Sequence, residues 1–219
     1  MSGDSATQGQ HKGGKKTPST LGVVPVASIV YPVLHYYLVH LLSIEDPATR
    51  YVLNILTSVF LGALALWALK REGIPLDGIG FGLQGLRRSC SSQPSGSLWE
   101  LLYYALAGEA VLDHVSPMLI LTQQWILLGI AEELLFRGYL LSRLARTFGA
   151  ISDPKAQFAA VIVSSLVFSL WHIPVRVFQG ASLPDMMLSL APVFALGVYL
   201  GPVYVRSGNV VCTGFAHGS

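Results

Sequence analysis

Charge is what this chain has least of. Only 12% of its 219 residues are Asp, Glu, Lys or Arg, and 52% are hydrophobic, whereas a soluble domain carries about 25% charged residues. With a mean hydropathy of +0.55, the shortfall argues against an ordinary soluble globule and for a chain that crosses a membrane several times. Cysteine is almost missing. Cys90 and Cys212 stand in different segments with no CxxC or Cys/His spacing, so they suggest neither a disulfide framework nor a cysteine metal site and read as free thiols. The basic residues are not clustered and the net charge is only +2, so no nucleic-acid partner is expected. HExxH is absent, which excludes two zincin ligands on one helical turn, and so is GxSxG. No Ser–Lys or Cys–His pairing suggests itself, and no internal repeat of the inverted transporter kind is visible. Ser2, not glycine, follows Met1, so the myristoylation consensus fails. The long polar start, followed by a spanning-length apolar run without a small-residue cleavage site, argues against a signal peptide.

What is present is a series of long apolar runs. Residues 1–20 are polar, basic and rich in Gly and Ser, and they predict a disordered tail. Spans are expected at residues 21–42, 51–69, 98–112, 117–139, 158–173 and 183–205, with a seventh, short one from 209 to the end of the chain. Residues 72–97 form a connector, with Arg87 and Arg88 at the headgroups of a loop or interfacial helix. Counted loop by loop, alternate sides of this arrangement hold 12 and two of the 14 basic residues. The positive-inside rule then places the N-terminus in the cytosol and the end of the fourth span, where its carboxylates lie, towards the cytosolic face. The fold expected is an all-α polytopic transmembrane bundle of six to seven spans, with residues 21–219 as one membrane domain. Its first partner is the lipid bilayer.

The organising stretch is ILLGIAEELLFRGYLLSRL, beginning at Ile126. A carboxylate in hydrocarbon costs roughly 2.5–3.5 kcal/mol on insertion scales, so two adjacent ones in an apolar helix need a reason. Glu133 and Arg137 are four apart and share a helical face, where they can pair. Glu132 is turned by about 100° from Glu133 and stays the more available acid or base.

Two further ionisable groups stand in apolar helical contexts. His172 closes VSSLVFSLWHIP, with Phe168 one turn before it, and His217 lies in NVVCTGFAHGS. Two histidines and a carboxylate converging in a bundle can hold a divalent metal such as zinc that activates water. Equally, the carboxylate and one histidine can activate water directly, while the other histidine donates to the oxyanion. Both routes end in hydrolysis of an acyl bond. Plainer readings stand beside these: Glu133–Arg137 as a structural pair, Glu132 as a solvated residue near the interface, His172 bonded to a helix-end carbonyl, and His217 as an interhelical donor. His35 and His40 read as packing residues, and Glu100 and Glu109 as water-facing or interfacial. Trp125 and Trp171 read as core or interface belt.

AEELLFRGYL resembles the EExxxR motif of the CAAX prenyl-protease and bacteriocin-processing (CPBP, or Abi) intramembrane proteases. FSLWH is similar to that family's FxxxH motif, and SGNVVCTGFAH to the segment carrying its HxxxN motif. The motifs stand in the family's order, and the likeness runs from about residue 98 to the end. The resemblance implies an intramembrane endopeptidase, named with the metalloproteases, whose members include enzymes that remove the last three residues after a prenylated cysteine. It implies Glu132 as the general base, His172 sharing or holding the water, His217 stabilising the oxyanion, and Glu133 and Arg137 shaping the site. The side chains fit a metal-free glutamate mechanism as well as a metal-dependent one. The asparagine of HxxxN would fall four residues after His217, beyond Ser219, and a fragment or truncated product is the expectation. The rival expectations are a proton- or ion-coupled transporter with carboxylates at several depths, and an inactive membrane scaffold.

Overall fold

The computed structural model of the chain describes residues 20, 22–44, 46–81, 122–149 and 152–218. Among these, every regular element is helical. The tail through residue 19, most of the 72–97 connector with Cys90, Arg87 and Arg88, and the third expected span with Glu100 and Glu109 lie outside the described residues.

Helix starts follow the sequence closely. α1 is Val23–Leu41 and α2 is Pro47–Arg71. Asp46 caps α2 by accepting from the Thr49 N–H at 2.7 Å and its hydroxyl at 2.6 Å. Pro47 fills the first position, where a missing N–H costs nothing. The same cap-and-proline device opens α4, Pro154–Trp171, with Asp153 accepting from the Lys155 N–H at 3.0 Å. It recurs at α6, Leu183–Ser207, with Ser182 as cap and Pro184 in the first turn. Between them, α5 is Ile173–Phe178. A left-handed Gly208 ends α6 and α7 follows as Val210–Gly218.

Four helices are long and apolar enough to cross a membrane: Val23–Leu41, Tyr51–Arg71, Pro154–Phe178 and Leu183–Ser207, with mean hydropathies from 1.4 to 2.1. Six to seven spans were expected; four are found among the described residues. The run expected at 158–173 starts earlier and extends into α5. The described part of the run expected at 117–139 is of another kind. It is a composite helix, α3, made of the π-helical Thr122–Leu128, the α-helical Gly129–Glu133, the π-helical Leu134–Leu141 and the α-helical Ser142–Phe148. Its residues from Gly129 to Leu141 are nearly all buried, so α3 is the axis of the bundle rather than a lipid-facing span. Outside it, α1, α4 and α6 turn Val26, Leu34, Phe158, Leu170 and Leu188 outwards, as a bilayer solvent permits.

Small residues set the spacing. α6 carries Gly197 and Gly201 four apart, a small-xxx-small pair of the kind that lets membrane helices approach closely. A Cβ on Gly201 would stand 2.6 Å from Val161 Cγ1 of α4, and one on Gly197 would stand 2.9 Å from Ser165 Cβ. α7 approaches α3 in the same manner: a Cβ on Gly214 would lie 3.0 Å from the Ile130 Cα.

At one end of the bundle a polar cluster ties three segments together. Glu72, just after α2, accepts from the Thr20 N–H at 3.0 Å and from the Thr20 hydroxyl, and pairs with Arg143 Nε of α3 at 2.7 Å. Tyr139 of α3 bonds the same Thr20 hydroxyl. The start of α1, the end of α2 and the end of α3 therefore share one level. Arg71 and Arg143 belong to this end, and Arg176 to the opposite one.

Gly201→Val should force α4 and α6 apart, with overpacking costing about 1–3 kcal/mol or more. A thermal melt in detergent should show a lowered Tm, partly restored by adding Val161→Ala. An unchanged Tm would contradict the close α4–α6 contact.

Candidate active site

The local winding of α3 builds the site. The short α-helical Gly129–Glu133 lies between two π-helical stretches. Such i→i+5 segments are rare and occur mostly at functional positions. They also change the angular arithmetic: a uniform α-helix assigns each side chain about 100°, and that spacing fails on both sides of Glu132–Glu133. Glu132, Glu133 and Arg137 all point inwards. They are 3%, 0% and 1% exposed. Arg137 lies inside the bundle beside its partner.

Buried charges are costly unless paired and hydrogen-bonded. Arg137 meets that condition three ways. Its Nη1 lies 2.9 Å from Glu133 Oε1. Its Nη2 donates to the Gly197 carbonyl of α6 at 3.3 Å. Its guanidinium lies over the Phe168 ring of α4, 4.7 Å from the centroid, a cation–π contact in a desolvated setting. Three helices thus hold one side chain.

His217 completes the set from α7. Its Nδ1 is 2.9 Å from Glu133 Oε1 and its Nε2 is 3.4 Å from Glu132 Oε2. Each ring nitrogen faces a carboxylate, and a carboxylate can only accept. Both contacts are hydrogen bonds only if two protons are distributed over the three groups, either as an imidazolium between two carboxylates or as a neutral ring beside one carboxylic acid. His217 is where it is because Gly214, one turn earlier, lets α7 lie against the α3 backbone.

His172 sits where α4 ends. Pro174 follows, and the missing N–H and ring of a proline break the helical ladder there. His172 Nδ1 lies 2.8 Å from the Phe168 carbonyl. An N–H on Nδ1 donates to that oxygen, which leaves Nε2 with its lone pair. The Phe168 ring packs edge-on against both imidazoles, with centroids 4.9 Å from His172 and 5.5 Å from His217. The phenylalanine of FSLWH is thus the common wall of the cluster.

The structure brings Glu132, Glu133, Arg137 and His217 into one contiguous group. His172 lies against the same Phe168 ring, with no hydrogen bond to Glu132 among the described residues. His35 bonds Thr57 at 3.2 Å within the α1–α2 contact, and His40 is exposed. Trp171 donates to the Ser28 carbonyl at 2.7 Å. Two residues that sequence reasoning did not single out stand beside the group. Tyr36 of α1 is within electrostatic reach of Glu132 and of Arg176 of α5. No motif marks either residue. The signal was only that each is a polar group in an apolar stretch.

A catalytic zinc needs three protein ligands and an open position. Among the described residues no group of three or more His, Cys, Asp or Glu side chains is placed to hold a metal ion. Glu133 and both nitrogens of His217 are engaged in pairing, and His172 Nδ1 is engaged with a carbonyl. The donors as arranged do not fit such a centre, and no step is derived through one.

Residues 114–219 match the family described as type II CAAX prenyl endopeptidase, Rce1-like, consistent with a CPBP-type protease. No curated protein and no solved structure matches the chain.

Glu133→Ala should leave Arg137 buried and unpaired, at a cost of about 3–5 kcal/mol. Replacing Glu133 and Arg137 together by Leu and Met should cost less. Thermal unfolding of the two variants checks the order. A Glu133→Ala melt no lower than that of the double variant would mean that the buried pair does not hold the bundle.

Proposed function

We propose, from the premise that residues 114–219 are a domain of the Rce1-like type II CAAX prenyl endopeptidase family, that the chain is an intramembrane endopeptidase with Glu132 as its general base. The observation that carries this reading is the contact of Glu132 Oε2 with His217 Nε2 at 3.4 Å inside the bundle. It couples a buried carboxylate to a proton carrier.

The roles follow from the bonding capacity of each group. Glu133 and Arg137 satisfy one another, so their charge is committed to structure. Among the described residues the ion-pair partner of Glu132 is His217, and its carboxylate is the group free to take a proton. A water between Glu132 and the unprotonated Nε2 of His172 donates one hydrogen to each. Its oxygen attacks the scissile carbonyl carbon as Glu132 removes a proton. The carbonyl oxygen becomes an oxyanion, to which the His217 Nε2–H donates once the protonated Glu132 no longer holds it. Preorganised donors of this kind are worth most where water is excluded. Collapse of the intermediate breaks the C–N bond, and the proton held on Glu132 passes to the leaving amine. Atoms and charge balance with one water consumed.

Several finer statements belong to the same proposal. The substrate is a lipid-anchored protein, processed at its C-terminus after a prenylated cysteine. The end of the bundle that holds Arg71 and Arg143 faces the cytosol, with the N-terminus on that side. The rise from Arg143 to Glu132 along α3 is roughly 15 Å, about half of a hydrocarbon core near 30 Å. That depth suits a substrate delivered by its lipid.

Glu132→Gln keeps size and hydrogen bonding but removes the base. Cleavage of a farnesylated CAAX peptide by the reconstituted chain should fall by about 100-fold or more, with an unchanged melt. Undiminished cleavage in that variant would sink the assignment of Glu132.

A further inference from the structure

The acid pair makes the site hostile to a second negative charge, yet a substrate cut near its C-terminus brings one in its terminal carboxylate. Two arginines are on hand to offset that charge. Arg137 is not available, since its guanidinium is committed to Glu133, the Gly197 carbonyl and the Phe168 ring. Arg176 is differently placed. It is half-buried on α5, its Nη1 donates to Gln179 Oε1 at 3.0 Å, and its Nε is buried with no acceptor among the described residues. A buried donor without an acceptor forfeits hydrogen-bond energy, and no carboxylate pairs with this guanidinium among the described residues.

Its position is set by aromatic packing. Phe178, on the same short helix, stacks on Tyr36 of α1 with centroids 5.9 Å apart, and the His35 ring meets Tyr36 edge-on at 5.2 Å. Tyr36 is thereby packed against α5, and it is within electrostatic reach of Glu132 and of Arg176. Along the bundle, Arg176 lies beyond Glu132 as seen from the end that carries Glu72 and Arg143. A chain entering from that end, C-terminus first, reaches Glu132 before it reaches α5. Three extended residues span roughly 10 Å, so a terminus three residues past the scissile bond is carried on towards Arg176.

We propose that Arg176, on the short helix that packs against Tyr36, forms a subsite for the free C-terminal carboxylate of the substrate. The guanidinium supplies a charge-assisted, planar match to the carboxylate. The subsite sets the cut at a fixed distance from a chain end. It rejects internal peptide segments, which carry no charge there. This inference rests on the endopeptidase reading of the site.

The test separates the two. The full chain carrying Glu132→Gln is reconstituted in nanodiscs. It is titrated with a farnesylated CAAX peptide bearing either a free C-terminal carboxylate or a C-terminal amide. The acid should bind about ten-fold or more tightly than the amide, as expected for a hydrogen bond to a charged group. Adding Arg176→Gln should bring the acid down to the affinity of the amide while leaving the amide unchanged, and Arg176→Lys should retain part of the preference. Equal affinities before the Arg176 change, a preference that survives Arg176→Gln, or parallel loss of both peptides would each overturn the subsite. Failure of the endopeptidase reading has another signature: the acid preference persists, and the chain with Glu132 intact leaves the peptide uncut.

Discussion

The Glu133–Arg137 ion pair is the constraint on which the bundle depends. Neither member has water to fall back on, so everything around the pair must satisfy it. α6 offers the Gly197 carbonyl, α4 the face of Phe168, and α7 the imidazole of His217. Removing any one of these would strand part of a buried charge, and stranded charge is costlier than the pair is valuable. The pair therefore acts less as a source of stability than as a specification. It admits one arrangement of the four helices, and that arrangement also sets Glu132 against His217.

Close approach makes the specification reachable. A guanidinium on α3 reaches a carbonyl on α6 only if α6 is near, and α6 is near α4 because Gly197 and Gly201 remove the side chains that would separate them. Gly214 does the same for α7 against Ile130. In lipid there is little hydrophobic gain from bringing helices together, so contact between backbones and interhelical polar bonds carry the association. The polar core and the small-residue contacts are two aspects of one solution.

Much of this was legible in the sequence, for identifiable reasons. The charge deficit and the apolar runs gave an all-helical membrane bundle, and α1, α2 and α6 fall close to their expected ranges, because hydropathy and the Asp–Pro and Ser–x–Pro starts act locally. The i,i+4 spacing of Glu133 and Arg137 foretold their pairing. The burial of the described part of the run expected at 117–139 was out of reach, because hydropathy does not distinguish a helix surrounded by lipid from one surrounded by protein. The π-helical winding of α3 was also out of reach. It depends on tertiary contacts rather than on residue type. Tyr36 and Arg176 carry no motif, and only the packing of α1 against α5 reveals that they stand near Glu132. The Gly197–Gly201 pair was not singled out in the sequence, and its partner surface on α4 emerges only from the packing.

Exposure separates the roles within the cluster. The Glu133 side chain is 0% exposed and that of Arg137 1%, whereas Glu132 is 5% and His217 16%. His172 is half-buried. The gradient runs from the sealed ion pair through Glu132 to the two imidazoles. A group that only stabilises the fold gains nothing from access, and one that exchanges protons with water requires it. On the proposed reading, Glu132 occupies the boundary between the two. One side of it borders Glu133 and Arg137, whose charges are committed to each other. The other side borders His217, the single neighbour that can gain or lose a proton in step with it. A carboxylate in that position works as a base without unsettling the pair that holds the helices together.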